Sequence, residues 1–230
     1  MFARLLSPFR EFGPFAGWIY VLTRALRRAR VPVHVYFYEL MAQPVPETPL
    51  LRAGLSKSLE VRAIGPGDPA LARMPLSAAT LAARFAQPTV CLGAFRKDRL
   101  IAYMWMCLGA YDEDEVACRF VPSGSPRAAW DFDFYVYPED RLGLGFAGLW
   151  DAANAYLRAR GYRYTCSRVN RFNTASRRAH ARLQGRRLGQ LLFVRGFGLQ
   201  AMLANVPPYL SVTRTAGARP IVPVTAGDSA

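Results

Sequence analysis

The chain has 230 residues, of which 52% are hydrophobic and 20% are charged, and its 30 basic residues outnumber its 16 acidic ones to give a net charge of +14. Such a chain is too apolar to be disordered and too polar to be a membrane protein with several spans. Its length favours one domain with an appendage over two full domains.

The N-terminal segment is basic and amphipathic. Residues 1–30 carry six arginines and one acid, Glu11, around an apolar stretch of fifteen residues from Phe12 to Leu26. A membrane-spanning helix needs about twenty apolar residues, so this stretch is too short to cross a bilayer. Trp18 and Tyr20 among arginines favour a helix at an anionic membrane surface, and the alternative is packing against the protein itself or against a second subunit.

The rest of the chain alternates strands and helices. A strand over 33–41 and a proline-rich linker precede the main domain, and a polar, acidic excursion occupies 111–126. We expect a partition into an N-terminal region (1–55), a catalytic domain (56–205) and a loose tail (206–230). Later strands are predicted at 59–64, 89–95, 100–110, 128–137, 162–168, 188–194 and 197–203, and helices at 70–85 (split at Pro75), 144–160 and 174–184.

Two compositional features bear on partners and compartment. No acidic residue occurs from Ala152 to Gly227, while thirteen arginines do. A field of that sign attracts phosphates, a nucleotide cofactor, anionic lipid or nucleic acid, although a GC-rich genome is the plainer cause of frequent arginine.

The four cysteines are scattered without a paired motif, which favours buried free thiols in a reducing compartment. Two histidines give little material for a zinc site.

A glycine-containing loop joins a predicted strand to a predicted helix over Val136–Gly145 (VYPEDRLGLG). The first turn of a helix has unpaired N–H groups and a positive dipole, so it is suited to a pyrophosphate. Glycines allow the phosphate to approach the backbone. A strand–glycine–helix turn is usually only a turn, so the next motif decides the interpretation.

About thirty residues later, the second motif reads Asn173-Thr-Ala-Ser176-Arg-Arg-Ala-His180, followed by Arg182-Leu183. Together with Gly143, Gly145 and the preceding Val-Tyr-Pro, it resembles the two motifs of the GNAT superfamily of acyl-CoA-dependent N-acyltransferases. The resemblance covers about 59–203 and extends to the order of elements. It implies an α/β layered fold with a mixed, mostly antiparallel sheet, a splayed parallel strand pair and flanking helices.

The same resemblance implies the site. Acetyl-CoA or another acyl-CoA would be the co-substrate, and no metal would be needed. The backbone of the strand that ends near Val136 would hold the pantetheine arm, and the glycine loop would hold the pyrophosphate. A backbone N–H in the same region would stabilise the oxyanion. The expected cofactor-binding residues are Val136, Tyr137, Arg141, Leu142, Gly143, Leu144, Gly145, Phe146, Asn173 and Ser176.

Three positions depart from the family pattern. The first motif has Asp140 where the family has Arg or Gln, with the arginine one place later. His180 stands where the family has a tyrosine that acts as general acid toward the departing thiolate. A protonated histidine could take that role, whereas a neutral one would only donate a hydrogen bond. Gln184-Gly185 replaces the usual Gly-Phe.

The acceptor amine needs a base. Asp131 and Asp133 are two residues apart on the strand before the glycine loop, so a regular strand would place both on one face. Either carboxylate is a candidate base, and aromatic neighbours that exclude water would raise its pKa. The alternatives are pairing with nearby arginines or binding of a cationic substrate. The predicted catalytic residues are Asp131, Asp133 and His180.

The sequence therefore predicts a bacterial N-acyltransferase, most simply an N-acetyltransferase, that transfers an acyl group from CoA directly to a small primary amine. The alternative is a catalytically weak GNAT-like module that binds acyl-CoA or a partner and is tethered to the membrane by its basic N-terminus. We expect a cytoplasmic protein, with the inner face of the cytoplasmic membrane and a homodimer as further options. Specific binding to nucleic acid is not expected, because the arginine-rich helix over 174–184 carries no aromatic residue.

Overall fold

The computed structural model describes residues 2–52, 54, 59–124, 127–141 and 143–226. Two compact units share the chain. Unit 1 comprises Met1–Ala42, Glu113–Phe120 and Arg168–Pro223, and unit 2 comprises Gln43–Asp112, Val121–Ser167 and Val224–Ala230. The units interleave along the sequence, so each contains segments that are distant in the chain. The predicted partition at 55 and 205 stays a prediction.

Unit 1 is built on an antiparallel sheet with helices packed on it. Its strands follow one another in the order β1, β9, β10, β11, and register is fixed by pairs such as Phe37 with Leu192 and Ala201 with Val212. The elements are α1 (Phe2–Phe12), α2 (Pro14–Arg28), β1 (Val33–Pro44, to residue 42 in this unit), α5 (Thr174–Arg182), β9 (Arg186–Gly196), β10 (Leu199–Ala204) and β11 (Leu210–Arg214).

The helices of unit 1 cover only part of one sheet face. Phe12, Ala16 and Ile19 of α1 and α2 form a buried cluster with Phe37 of β1. Val35 and Leu192 pack at its border, whereas Val194, one pair further along, is 40% exposed. The N-terminal segment therefore packs on its own unit through one face of α2. No helix in the described part of the chain has both the length and the apolarity to cross a membrane.

Unit 2 contains a mixed sheet, which confirms the predicted fold class. Strands β2, β3, β4 and β7 pair antiparallel in that order, and β7 pairs parallel with β8. The elements are β2 (Glu60–Ile64), α3 (Ala78–Phe85), β3 (Thr89–Arg96), β4 (Arg99–Cys107), β7 (Ala128–Val136), α4 (Gly145–Arg158) and β8 (Tyr164–Asn170, to residue 167 in this unit). A 3₁₀ turn at Pro69–Arg73 precedes α3, so the helical segment splits around Pro75 as predicted.

Local sequence accounts for several boundaries. Ser77 begins α3, because its hydroxyl accepts a hydrogen bond from the Thr80 N–H. In the core of unit 2, Tyr103, Trp105 and Phe95 pack together on the face of the sheet that α3 covers. All four cysteines are buried and free, as predicted.

Two regions contain more regular structure than the sequence indicated. The excursion over 111–126 includes β5 (Tyr111–Asp112) and β6 (Arg119–Ser123). The expected loose tail includes β11 and β12 (Ile221–Thr225). Pro, Thr and Gly are frequent around both tail strands, a composition typical of loops. Pairing decided their structure: β11 pairs with the preceding strand β10, and β12 pairs with the distant β6.

Candidate active site

The glycine loop leads into α4 without a side-chain cap. A 3₁₀ turn at Pro138–Asp140 follows β7, and α4 begins at Gly145 with Leu144 as its N-cap. Because the Leu144 side chain cannot accept a hydrogen bond, the N–H groups of the first turn have no side-chain cap and are available to an anion. A Cβ on Gly143 would lie 3.0 Å from Arg96 Nη2 and 3.2 Å from the Asp140 carbonyl oxygen. Glycine at this position thus allows the Arg96 guanidinium to lie close to the loop backbone.

Two arginines of the β3–β4 hairpin lie at this loop. Arg99 binds the buried Asp140 carboxylate through two hydrogen bonds of 2.9 Å, and Arg96 Nη1 lies 3.4 Å from Asp140 Oδ1. Asp140 therefore holds two guanidinium groups beside Gly143. The positive charge that the first motif lacks at position 140 is supplied from residues about forty positions earlier in the chain.

A β-bulge separates the two candidate aspartates. In the β4–β7 ladder Met106 pairs with Asp131 and Trp105 pairs with Asp133, so Phe132 is the extra residue. Paired residues share a face of the sheet, and Trp105 and Met106 alternate. Asp131 and Asp133 consequently lie on opposite faces, and the expectation of one shared face was wrong.

Asp131 is the buried carboxyl of this strand. It is 6% exposed, and burial raises its pKa to about 7, while the hydroxyls of Thr165 and Ser167 oppose part of that shift. Asp131 Oδ2 and both hydroxyl oxygens are buried without a hydrogen bond of good geometry to another described residue. The parallel pairing of β7 with β8 extends from Ala128–Tyr164 to Trp130–Cys166, so Thr165 lies within it, and Asp131 and Ser167 follow directly after it. Most buried polar groups in proteins are hydrogen-bonded, so this cluster calls for an explanation.

Asp133 is in a different situation. Arg84 Nη1 of α3 donates a 2.6 Å hydrogen bond to Asp133 Oδ2, and the guanidinium lies over the rings of Trp105 and Phe132 at 5.4 and 5.1 Å. The Arg84 side chain is 7% exposed and that of Asp133 24%. The carboxylate is thus held by a buried cation, which corresponds to the arginine-pairing alternative.

The second motif folds as predicted into a short helix of unit 1. The Asn173 side chain accepts a hydrogen bond from the Ser176 N–H and caps α5. His180 is buried in the last turn, and burial lowers its pKa to about 4. At neutral pH the imidazole is therefore uncharged, so it is suited to donate a hydrogen bond rather than to act as a cationic acid.

The remaining predicted cofactor residues surround the loop in unit 2. Val136 ends β7 and pairs with Ala102, and the Tyr137 hydroxyl donates a 2.7 Å hydrogen bond to the Arg73 carbonyl. Phe146 packs on Phe134, with 5.1 Å between ring centroids. Arg141 and Leu144 lie in the turn before α4, and Leu142 falls outside the described residues.

Sequence reasoning missed four residues at this site: Arg96, Arg99, Thr165 and Ser167. The two hydroxyl residues follow from strand pairing, because Thr165 lies opposite Ala129 in the parallel register. Arg96 and Arg99 lie between the strands predicted at 89–95 and 100–110, and the sequence carries no signal for their partner. Within the described residues, no three His, Cys, Asp or Glu side chains come together as metal ligands.

No protein-family model and no curated protein sequence matches the chain. Solved structures similar to it include a tandem GNAT protein from the clavulanic acid biosynthesis pathway, with 16% identity and a TM-score of 0.47 over 75% of this chain. The chain spans 58% of that protein's length.

Two further similar structures are a putative GNAT-family acetyltransferase from Novosphingobium aromaticivorans and an aminoglycoside N-acetyltransferase solved with CoA. The first is 18% identical over 71% of this chain and 66% of its own, with a TM-score of 0.49. The second is 14% identical over 54% of this chain and 89% of its own, with a TM-score of 0.43. These similarities are distant, so the function is inferred below from the chain's own residues.

Proposed function

We propose that the protein is an acyl-CoA-dependent N-acyltransferase of the GNAT type, with acetyl-CoA as the simplest donor and a small primary amine as acceptor. The observation that carries the proposal is the combination, within unit 2, of an uncapped helix start at Gly145 and a buried carboxyl at Asp131 with a pKa of about 7. The first feature suits a phosphate-bearing donor, and the second suits a proton acceptor at neutral pH.

The donor would be held through its pyrophosphate at the start of α4. Gly143 allows Arg96 to lie against the loop backbone, and Arg96 and Arg99 supply positive charge there. The side chain of Arg96 is 42% exposed, so it can reach an anion without leaving Asp140 unpaired, because Arg99 keeps both of its hydrogen bonds. The bound thioester supplies the electrophilic carbonyl.

Asp131 is the better of the two candidate bases. A general base works best with a pKa near the working pH, and Asp133 is already bound to Arg84. Asp131 would accept a proton from the acceptor ammonium, directly or through one water, so that the free amine attacks the thioester. The attack forms the N–C bond, and the C–S bond breaks as the thiolate leaves.

His180 belongs to unit 1, and the scheme for unit 2 does not use it as a cationic acid. Its pKa of about 4 makes the protonated form scarce at neutral pH. After the N–C bond forms, the attacking nitrogen still carries one excess proton. That proton passes to the departing thiolate, directly or through solvent, as the C–S bond breaks, and Asp131 later releases its own proton to solvent.

The test of donor binding is a thermal shift with acetyl-CoA on three proteins: wild type, Gly143→Glu and Gly65→Glu. Ligand at a hundred times its Kd stabilises a protein by about 2.7 kcal/mol, which raises Tm by several degrees. The shift should disappear in Gly143→Glu and persist in Gly65→Glu, because Gly65 is exposed with open space around it. Absence of a shift in the wild-type protein would contradict the proposal.

We propose membrane tethering of a GNAT-like module as the second candidate function, located at the inner face of the cytoplasmic membrane. The favouring observation is an exposed apolar stripe on α2, formed by Phe15, Trp18 and Leu22, which are 64%, 66% and 53% exposed. The opposite side of the helix carries Arg24 and Arg28, an arrangement typical of interfacial helices.

Vesicle co-sedimentation tests the tether. The wild-type protein should sediment with vesicles containing phosphatidylglycerol and not with pure phosphatidylcholine vesicles. Trp18→Ser/Leu22→Ser should remain in the supernatant, and Tyr209→Ser/Ile221→Ser, which removes two exposed apolar side chains elsewhere, should sediment normally. Equal sedimentation of all three proteins would refute the role of α2.

A further inference from the structure

Unit 1 contains a groove beside α2 whose arginines and aromatic rings have no role in the proposed acyl transfer. Of its lining residues, Asn173 at the α5 end is also an expected cofactor-binding residue. One cavity of about 810 Å³ lies between α2, the first half of β1 and the end of β8. A second cavity of about 730 Å³ continues along α2 toward α1. The two cavities share four lining residues, so they form one continuous groove. The shared residues are Tyr20, Arg24, Arg28 and Phe172.

The groove is strongly cationic. Arg24, Arg27 and Arg28 line it from one side of α2. The acid of the larger cavity, Glu115, is already occupied, because the Tyr38 hydroxyl donates to it at 2.6 Å and Arg168 Nη2 lies 2.9 Å away. Glu115 therefore does not neutralise the three arginines. Glu11 lines the second cavity and offsets one positive charge, so an anion entering the groove would still meet a net positive charge.

The floor of the groove is aromatic. Tyr20 and Phe172 meet edge to face with 5.3 Å between centroids, and His34 stacks with Tyr36 at 6.4 Å and an interplanar angle of 27°. Arginines above aromatic rings form a surface for a ligand that has both a charged and a flat or apolar part. A bare inorganic anion would use only the arginines.

The groove also reaches the start of α5. A third cavity of about 440 Å³ is lined by Asn170, Phe172 and residues 173–175, so it adjoins the larger cavity at Asn170 and Phe172. The dipole of α5 adds partial positive charge at this end. Positive potential therefore extends along the groove from the arginines to the helix start.

We propose that this groove binds a small ligand with a phosphate or carboxylate group attached to a planar or apolar body. The ligand's anionic group would lie against Arg24, Arg27 and Arg28, and its body would lie on Tyr20 and Phe172. The proposal does not depend on acyl transfer, since none of these residues belongs to the glycine loop or to the Asp131 cluster.

Soluble ligands and lipid headgroups share this chemistry. Phe15 and Arg24 are nine residues apart, which is two and a half helical turns and places them on opposite sides of α2. If the Phe15 stripe contacts a membrane, the arginine side faces away from it. The geometry thus favours a soluble ligand, and the two sources are separate arms of the experiment.

The experiment is a fluorescence titration of the full-length protein with 1-naphthyl phosphate, with neutral 1-naphthol as the comparison ligand. No CoA is added, because its phosphates and planar base would compete for the groove. A parallel titration of Gly143→Glu shows whether the probe binds at the proposed cofactor site instead. We expect saturable binding of the phosphate and at least tenfold weaker binding of the naphthol. A parallel arm measures co-sedimentation with vesicles containing phosphatidic acid.

Two double variants, each of which removes two positive charges, locate the site. Arg24→Gln/Arg27→Gln should weaken naphthyl phosphate at least tenfold, and Arg10→Gln/Arg160→Gln, outside the groove, less than threefold. Tyr20→Leu should weaken the aromatic probe while leaving inorganic pyrophosphate unchanged. Vesicle binding that depends on Arg24 and Arg27 without probe binding would assign the groove to a lipid headgroup.

The proposal is overturned by any of three results. The first is that both double variants weaken the binding of naphthyl phosphate equally. The second is that 1-naphthol binds as tightly as 1-naphthyl phosphate. The third is that neither the probes nor the vesicles show saturable binding. Circular dichroism of each variant separates loss of binding from loss of folding, and the exposed arginines chosen here are not expected to affect folding.

Discussion

Replacing Asp131 with asparagine should stabilise the protein progressively as the pH rises. The carboxyl has a pKa of about 7 when folded and 3.8 as its reference value, because burial opposes ionisation. At a pH between these two pKa values, the carboxyl is mostly protonated in the folded state and mostly ionised in the unfolded state. Stability is therefore lost as the pH rises from about 4 to 7, and asparagine, which does not titrate, is free of that loss.

The magnitude follows from the two pKa values. A difference of roughly three pKa units corresponds to about 4 kcal/mol once both states are ionised, at 1.36 kcal/mol per unit. About 1.6 kcal/mol of this is already lost at pH 5, because the unfolded carboxyl is ionised there. The stability of Asp131→Asn relative to wild type should therefore increase by about 2 to 3 kcal/mol between pH 5 and pH 8.

Urea denaturation of both proteins at pH 5, 6, 7 and 8 measures this difference. The amide also changes packing, but that effect on the free energy of unfolding is the same at every pH. It therefore cancels when the difference between variant and wild type is compared from one pH to another. Asp98→Asn, which replaces an exposed carboxyl in the β3–β4 turn, serves as the matched control. A variant whose advantage over wild type is constant from pH 5 to pH 8 would refute the raised pKa of Asp131 and with it the proposed base.

Further predictions concern charge and packing. Arg96→Gln should weaken acetyl-CoA about tenfold by calorimetry, the value of one charged hydrogen bond, whereas Lys97→Gln on the same turn should have little effect. Arg168→Met should lower the urea-derived stability by about 3–5 kcal/mol, because Glu113 would stay buried without its two hydrogen bonds of 2.7 and 2.8 Å. Gly93→Ala should lower stability by about 1–3 kcal/mol, since an added Cβ overlaps core side chains, as a shift in Tm would report.

Helices and strands with local signals were predictable. Asn173 caps α5, and α4 follows the glycine loop, because both boundaries are set by residues within one turn. The bulge at Phe132 was not predictable, since the segment reads as a regular alternating strand and the irregularity is defined only against β4. That single extra residue moved Asp131 and Asp133 to opposite faces and gave the two carboxyls different partners.

The candidate site shows the same division between local and long-range information. An aspartate at position 140 weakened the resemblance to the family's first motif, because a motif compares consecutive positions in the sequence. A bound anion, in contrast, interacts with all the charges close to it in space. Asp140 is 4% exposed and is bound by Arg99, with Arg96 beside it. Glu139 is paired with Arg99 and Arg73, so this part of unit 2 holds three positive charges against two negative ones. A reversed charge at one motif position thus accompanies a net positive environment at the loop. The chemistry of the loop can persist where its sequence signature is incomplete, and residues about forty positions away then determine its charge.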